Sequence, residues 1–282
     1  MNTTQKYEIL LLSVIAARAT SFIFNKMILE SLAPFNLLAL RFIAAFILLV
    51  IIFHKSVLRL TRSDFLSGLA IGTAFFVTMA CEMIALTQAA SSLVSLLENC
   101  AIIFVPLLEI IIYKKLPGKT TALTTGLAML GVMLLALSQG GLSGGFSWGL
   151  VSGVCYAVAI IITQRLTQNS SSTLGIGIVQ VGTMGALACA AMLLLETPAL
   201  PATNGEWLML ALLIIVCTGF GFTLQPMAQS RVTAARAGLF CAVSPAIAAL
   251  LGVTVLGEPF GLLDVAGLLL ILASIALPYV KK

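Results

Sequence analysis

A chain of 282 residues that is 60% hydrophobic and only 9% charged, with a mean hydropathy of +1.14, lacks the polar surface that a soluble globular domain needs. Its net charge of +5 and pI near 9.0 do not point to nucleic acid, because the basic residues lie between apolar runs and not on one folded face. The expected class is an all-α integral membrane protein whose surroundings are the lipid bilayer.

Only Met1 to Glu8 precede the first apolar run, and no small-residue cleavage pattern follows, so a removable signal peptide is not expected. Apolar windows bounded by charge or by Gly, Pro and Ser predict ten transmembrane helices. They cover about residues 8–29, 35–53, 64–86, 91–112, 119–137, 146–164, 172–195, 206–227, 234–256 and 260–280. The connections are short, which leaves no room for a soluble catalytic domain or a large partner surface.

When ten helices alternate, Lys6, Lys55, Arg59, Arg62, Lys114, Lys115, Lys119, Arg165, Arg231, Lys281 and Lys282 all fall on one side. The opposite loops hold Glu30, Glu196, Glu206 and Glu258, with Lys26 the nearest positive residue. The basic side is expected to be cytoplasmic, with both termini inside and the chain in the cytoplasmic membrane. The chain also repeats itself: GLAMLGVMLLAL at 126–137 resembles GLLLILASIAL at 267–277, and Pro106 of the fourth helix has a counterpart in Pro245 of the ninth. Each half holds five helices, an odd number, so the second half is expected to enter the membrane inverted relative to the first. That is an architecture of secondary transporters, with the binding site near the midplane.

The fourth helix carries the sharpest contradiction. The stretch from Ala90 to Tyr113 is long and apolar enough to span, yet it holds Glu98, Glu109 and Pro106. A carboxylate at the bilayer centre costs about 2.5–3.5 kcal/mol unless it faces a partner or water, so Glu98 is expected to look inward. Ser91, Ser95, Glu98, Ile102 and Glu109 fall near one stripe at helical spacing, with Asn99 beside it. Pro106 removes one rung of the helix ladder, to be repaired by neighbours or by a hydrated cavity. In the first helix Arg18 lies close to the midplane, and Ser21 and Asn25 share its face. Arg18 is always charged. Two roles stay open for it: binding a substrate carboxylate, or forming a permanent packing pair with Glu98.

Glu98 is also the candidate for proton coupling. Gln225 and Gln229 on the eighth helix, Gln180 on the seventh and Tyr156 on the sixth are candidate cavity groups, with Phe75, Phe76 and Phe240 as candidate apolar walls. Glu82 is expected to reach the outer interface and Glu109 to pair with Lys114 or Lys115. Arg41 and Arg236, in the first turns of their helices, are expected to snorkel toward headgroups. Glu258, in the loop GEPF, is expected to be a structural cap at the outer face. The six cysteines have no paired spacing and His54 stands alone, so neither a metal site nor a cofactor is expected.

The segment FTLQPMAQSRVTAARAGLFCAVSPAIAALLGVTVLGEPFGLLDVAGLLLIL, Phe222 to Leu272, closely resembles the second repeat of the EamA branch of the drug/metabolite transporter superfamily. TSFIFNKMILESLAPFNLLALRF, Thr20 to Phe42, resembles that family's opening stretch, including the proline before the second helix and Arg41. The resemblance implies two EamA repeats, 1–139 and 140–282, in a ten-helix bacterial exporter of small metabolites or amphipathic drugs. Relatives move amino acids such as aromatic residues, threonine or cysteine-pathway compounds. The chain departs from the family pattern at two places: Arg18 and Ala19 stand where Trp-Gly is usual, and Ser244 precedes Pro245 where many relatives have glutamate.

The expected function is export of a small polar or amphipathic, amino-acid-like molecule by alternating access. Arg18 would hold its carboxylate and Glu98 its amine. The alternative is a proton-coupled exporter of cationic drugs acting through Glu98. A nucleotide-driven pump is not expected, because the chain has no GxxxxGK[ST] loop. A lipid-modifying enzyme is disfavoured by one histidine and scattered acids.

Overall fold

The computed structural model describes residues 3–114, 118–138, 144–168, 170, 172–241, 243–258 and 261–280, and all regular structure among them is helical. Eight helices are long and apolar enough to cross a membrane: α1 (Gln5–Ile28), α2 (Pro34–Ile52), α3 (Arg62–Gln88), α4 (Ser91–Ile112), α6 (Gly144–Thr167), α7 (Thr173–Leu195), α8 (Asn204–Gln229) and α9 (Arg236–Leu256). The remaining two, α5 (Lys119–Ser138) and α10 (Leu262–Val280), are equally apolar. Two helices begin before hydropathy places them because polar residues close their first turns. Thr61 accepts from the Asp64 amide at 3.1 Å while its own amide donates to Asp64 at 3.2 Å, and Thr203 with Glu206 repeats the arrangement on α8.

The packing obeys a pseudo-two-fold. Helix α2 packs on α7, α4 on α9 and α5 on α10, and α3 lies against α6 and α7 as α8 lies against α1 and α2. Two inverted five-helix repeats related by an axis in the membrane plane produce that pattern. The matching sequences of α5 and α10 lie on each other. A Cβ added at Gly131 would come within 2.6 Å of the Gly267 carbonyl oxygen, so this crossing needs small residues. The expected boundary between repeats, 139/140, lies outside the described residues.

Among the described residues, three helices show an irregularity beside the centre of the bundle. Helix α1 is interrupted at Thr20 and α4 at Cys100, and in α8 the stretch Leu213–Phe222 is wound as a π-helix. Pro106 sits inside the second piece of α4, where it removes the donor that would reach the Ile102 carbonyl. Irregular backbone at membrane depth is tolerated where protein surrounds it.

At the end carrying the acidic loops, two glutamates of the second repeat cap helices of the first. Glu196 accepts from the amides of Phe35 at 3.0 Å and Asn36 at 2.8 Å, closing the start of α2. Glu258 accepts from Ser91 through its amide and hydroxyl, both at 2.7 Å, and from Ser92 at 3.2 and 2.6 Å, closing the start of α4. Glu258 is thus the structural cap that its loop suggested. Arg236, partly exposed near the start of α9, pairs with Glu8 of α1 at 2.7 Å. Glu109 faces Arg165 of α6; of its two expected partners, Lys115 lies outside the described residues.

Candidate functional site

The interruption of α1 at Thr20 falls two residues after Arg18, and the π-helical stretch of α8 opens a space for that side chain. A Cβ at Gly221 would come within 2.7 Å of Arg18 Cγ, so this position accepts only glycine while Arg18 stays where it is. Arg18 is 8% exposed. Its Nη1 donates to the Tyr156 hydroxyl at 2.9 Å and to Gln225 Oε1 at 2.8 Å, and its Nη2 stands 3.8 Å from Glu98 Oε1. The last is a charge contact, too long for a hydrogen bond. The guanidinium also lies over aromatic faces, 4.1 Å from the Phe222 centroid, 5.1 Å from Tyr156 and 5.4 Å from Phe75. Phe75 packs edge-on against both Tyr156 and Phe222.

The sequence placed Arg18, Ser21, Glu98, Asn99 and Tyr156 in one site, and all five line one small central cavity of about 10 Å³ together with Glu82 and Ser244. That volume takes about one water and no substrate. Asn25 lies next to it, donating to Glu82 at 3.4 Å and accepting from Arg41 at 3.3 Å. Gln225 holds Arg18. Gln229 and Gln180 are buried, but neither bonds to Arg18; Gln180 leaves both its side-chain nitrogen and oxygen without a protein partner. Phe76 packs with Phe35 instead of lining the cavity, and Phe240 is a core residue. Ser95 shares the buried stripe of α4, and Asn99 donates back to its carbonyl at 2.6 Å.

Two expectations are overturned. Arg41 does not snorkel: it is fully buried, donates from Nε to Thr218 Oγ1 at 2.7 Å, and faces the rings of Phe42 and Phe222 at 5.0 and 5.7 Å. Because α2 begins at Pro34, Arg41 is already in its second turn, and a hydrogen-bonded path through Asn25 and Thr218 is nearer than the headgroups. Glu82 does not reach the interface either. It is 1% exposed and lines the same small cavity as Glu98. The rule that makes any intramembrane acid functional by default finds Glu82 as readily as Glu98. Phe222 and Thr218 carry no comparable signal, since aromatics and threonines are ordinary in membrane helices.

The cysteines serve as small partners: Cys241 donates to the Tyr156 hydroxyl at 3.3 Å and Cys217 to the Ala17 carbonyl at 3.2 Å, and all six are free. Among the described residues no three His, Cys, Asp or Glu side chains are placed to hold a metal ion.

What emerges is two guanidiniums and two carboxyls at the centre of a ten-helix inverted repeat. Residues 5–137 and 143–280 each match the EamA-like transporter family. The chain belongs to that family. It is a multi-pass membrane transporter, as the resemblance of its first and second repeats implied. An uncharacterized transporter of Archaeoglobus fulgidus is 26% identical over 214 residues, 76% of each chain. A crystal structure with 17% identity superposes with a TM-score of 0.74 over 98% of both chains, which establishes the shared fold. Within this EamA frame, each of the two matches spans five helices; Arg18, Arg41, Glu82 and Glu98 all belong to the first, and the second supplies their neutral partners Tyr156, Gln225, Thr218 and Ser152.

Proposed function

We propose that this EamA transporter is a secondary exporter of a small polar or amphipathic, amino-acid-like metabolite. It works by alternating access in the cytoplasmic membrane with both termini inside. The observation that carries the reading is that Arg18 is held from both repeats at once: by Glu98 of the first, and by Tyr156 and Gln225 of the second. Rocking one half against the other necessarily breaks some of these contacts. A substrate carboxylate that replaces them at Arg18, with its amine at Glu98, gives the binding energy a reason to depend on which way the halves face. The competing reading, a cationic-drug exporter coupled to protons through Glu98, has the aromatic rings in its favour and two buried arginines against it.

The test is counterflow in proteoliposomes across labelled amino acids and quaternary amines. Amino-acid counterflow that both Arg18→Gln and Glu98→Gln abolish supports the reading. Counterflow of quaternary amines that Arg18→Gln strengthens replaces it with the cationic-drug reading, and amino-acid counterflow left intact in both variants removes the site.

A further inference from the structure

The basic end of the bundle carries a charge that its own helix disfavours. Arg62 is the first residue of α3, where the positive end of the helix dipole repels a cation. The matching position of α8, one residue after its capping threonine, holds the neutral Asn204. Asp64 is committed to the cap: one of its oxygens accepts from the Thr61 amide and hydroxyl at 3.2 and 2.7 Å, and the other from the Ser170 hydroxyl at 2.7 Å. Arg62 is exposed, as are Lys55 and Arg59 just before it, and among the described residues none of the three has a carboxylate at ion-pair distance. Three positive charges thus gather here against the single negative charge of Asp64.

Thr61 and Arg62 stand at one end of an apolar groove of about 520 Å³. Phe46 of α2 and Phe65 and Leu69 of α3 line it from the first repeat, and Ile178 and Ala186 of α7 from the second. The segment that carries Lys55 and Arg59 covers one side. Its Val57 and Leu60 belong to the lining, and Leu60 rests on α7, where a Cβ at Gly175 would come within 2.6 Å of Leu60 Cδ2. The basic segment is therefore seated against the groove and is not a free loop. The lining reaches Ala186, about 20 Å along α7 from Thr173 at 1.5 Å per residue. A lipid chain that runs from the interface to the midplane needs about 15 Å, half of the hydrocarbon thickness. The larger groove of about 840 Å³ between α4, α5 and α6 has no charged residue in its lining and so offers a headgroup no counter-charge.

We propose that the groove between α2, α3 and α7 seats one anionic phospholipid of the leaflet on the basic side, its chain against Phe46, Phe65 and Leu69, its phosphate beside Arg62, and Arg59 and Lys55 around the headgroup. Basic pockets between membrane helices hold anionic headgroups in this way. The inference goes beyond the exporter reading and does not depend on what the transporter carries. A lipid so held touches both repeats, which ties the stability of the whole chain to the headgroup charge of that leaflet.

The test is native mass spectrometry of the whole chain, released from micelles that hold equal amounts of phosphatidylglycerol and phosphatidylcholine with the same chains. It is paired with Tm in phosphatidylcholine nanodiscs with and without phosphatidylglycerol. The wild type is expected to retain one phosphatidylglycerol in preference to phosphatidylcholine and to melt higher in the mixed nanodiscs. Arg62→Gln is expected to cut that preference about fivefold, the strength of one basic side chain near an anionic surface. In pure phosphatidylcholine the same variant should melt slightly above the wild type, because a cation has left the helix start. Ala186→Phe fills the groove without changing charge and is expected to lose the retained lipid, with Ala186→Leu in its place should the larger ring prevent folding. Arg231→Gln removes an exposed charge from the basic side outside the groove and is expected to keep the lipid.

Equal retention of the two lipids by the wild type, or a preference unchanged in Arg62→Gln, overturns the inference. A preference that survives filling of the groove, or that falls equally in Arg231→Gln, also overturns it, because it marks a diffuse basic surface and not a seat. So does a dimer that binds no lipid and that filling the groove dissolves, since the groove then seats a second copy of the chain. Each of these outcomes leaves the exporter reading to the counterflow experiment.

Discussion

The glutamates at the rim and those at the centre of this bundle differ in what satisfies them. Glu196 and Glu258 are filled by the first amides of α2 and α4, and by serine hydroxyls or an asparagine amide, at 2.6 to 3.2 Å. Helix starts present such donors whatever the conformation of the rest, and the helix dipole adds to the attraction. Glu82 is met by the Asn25 amide at 3.4 Å, and Glu98 by the Ser152 hydroxyl at 3.3 Å and Arg18 at 3.8 Å, all from other helices. The rim acids complete local structure with short bonds. The central acids have slack, and slack spread over several helices is what a site needs if substrate is to replace a protein contact.

Substitutions can break that contrast. The largest effect is expected from Arg18→Gln, which strips a buried charge from Glu98 and removes the donor to Tyr156 and Gln225. Truncating one partner of a buried hydrogen-bonded charge pair costs about 2–5 kcal/mol, so substrate affinity in a binding or counterflow assay should fall about 30-fold or more. Next comes Gly221→Ala, whose added methyl group competes with Arg18 Cγ for one space. A forced rearrangement in a packed interior costs about 1–3 kcal/mol, and the ligand-induced shift in Tm should shrink by more than the unliganded Tm falls.

Glu258→Ala sharpens the contrast from the other side. Loss of the cap on α4 should destabilise by about 1–2 kcal/mol, read as a lower Tm, while the ligand-induced shift survives. The smallest effect belongs to Arg236→Ala. Its pair with Glu8 is partly exposed, so its removal should change stability by about 1 kcal/mol or less, and less still at high salt.

Much of this was legible in the chain. Ten helices, their inverted arrangement and the meeting of Arg18 with Glu98 and Tyr156 follow from hydropathy, from odd helix number, and from the cost of charge in hydrocarbon. The misplaced residues share one cause. Glu82 lies six residues from the end of α3 and Arg41 seven from the start of α2, and distance along the helix was taken as distance from the interface, although Glu98 is equally seven residues from the start of α4. What fixes their direction is the partner across the bundle, Asn25 for both, and a partner on another helix has no sequence spacing to reveal it. The π-helical turn of α8 was equally hidden. Its residues LIIVCTGFGF suit an ordinary membrane helix, and only the bulk of Arg18 against Gly221 shows why the winding changes there.

The central claim is that Arg18 serves substrate whereas Glu258 serves structure. It is tested most directly by measuring Tm in nanodiscs for the wild type, Arg18→Gln and Glu258→Ala, each with and without the compound that gives the strongest counterflow. The account predicts a crossed outcome: Glu258→Ala lowers the unliganded Tm and keeps the ligand shift, and Arg18→Gln loses the ligand shift. An Arg18→Gln protein that keeps the full ligand shift but unfolds earlier would make the arginine a packing residue and contradict the account.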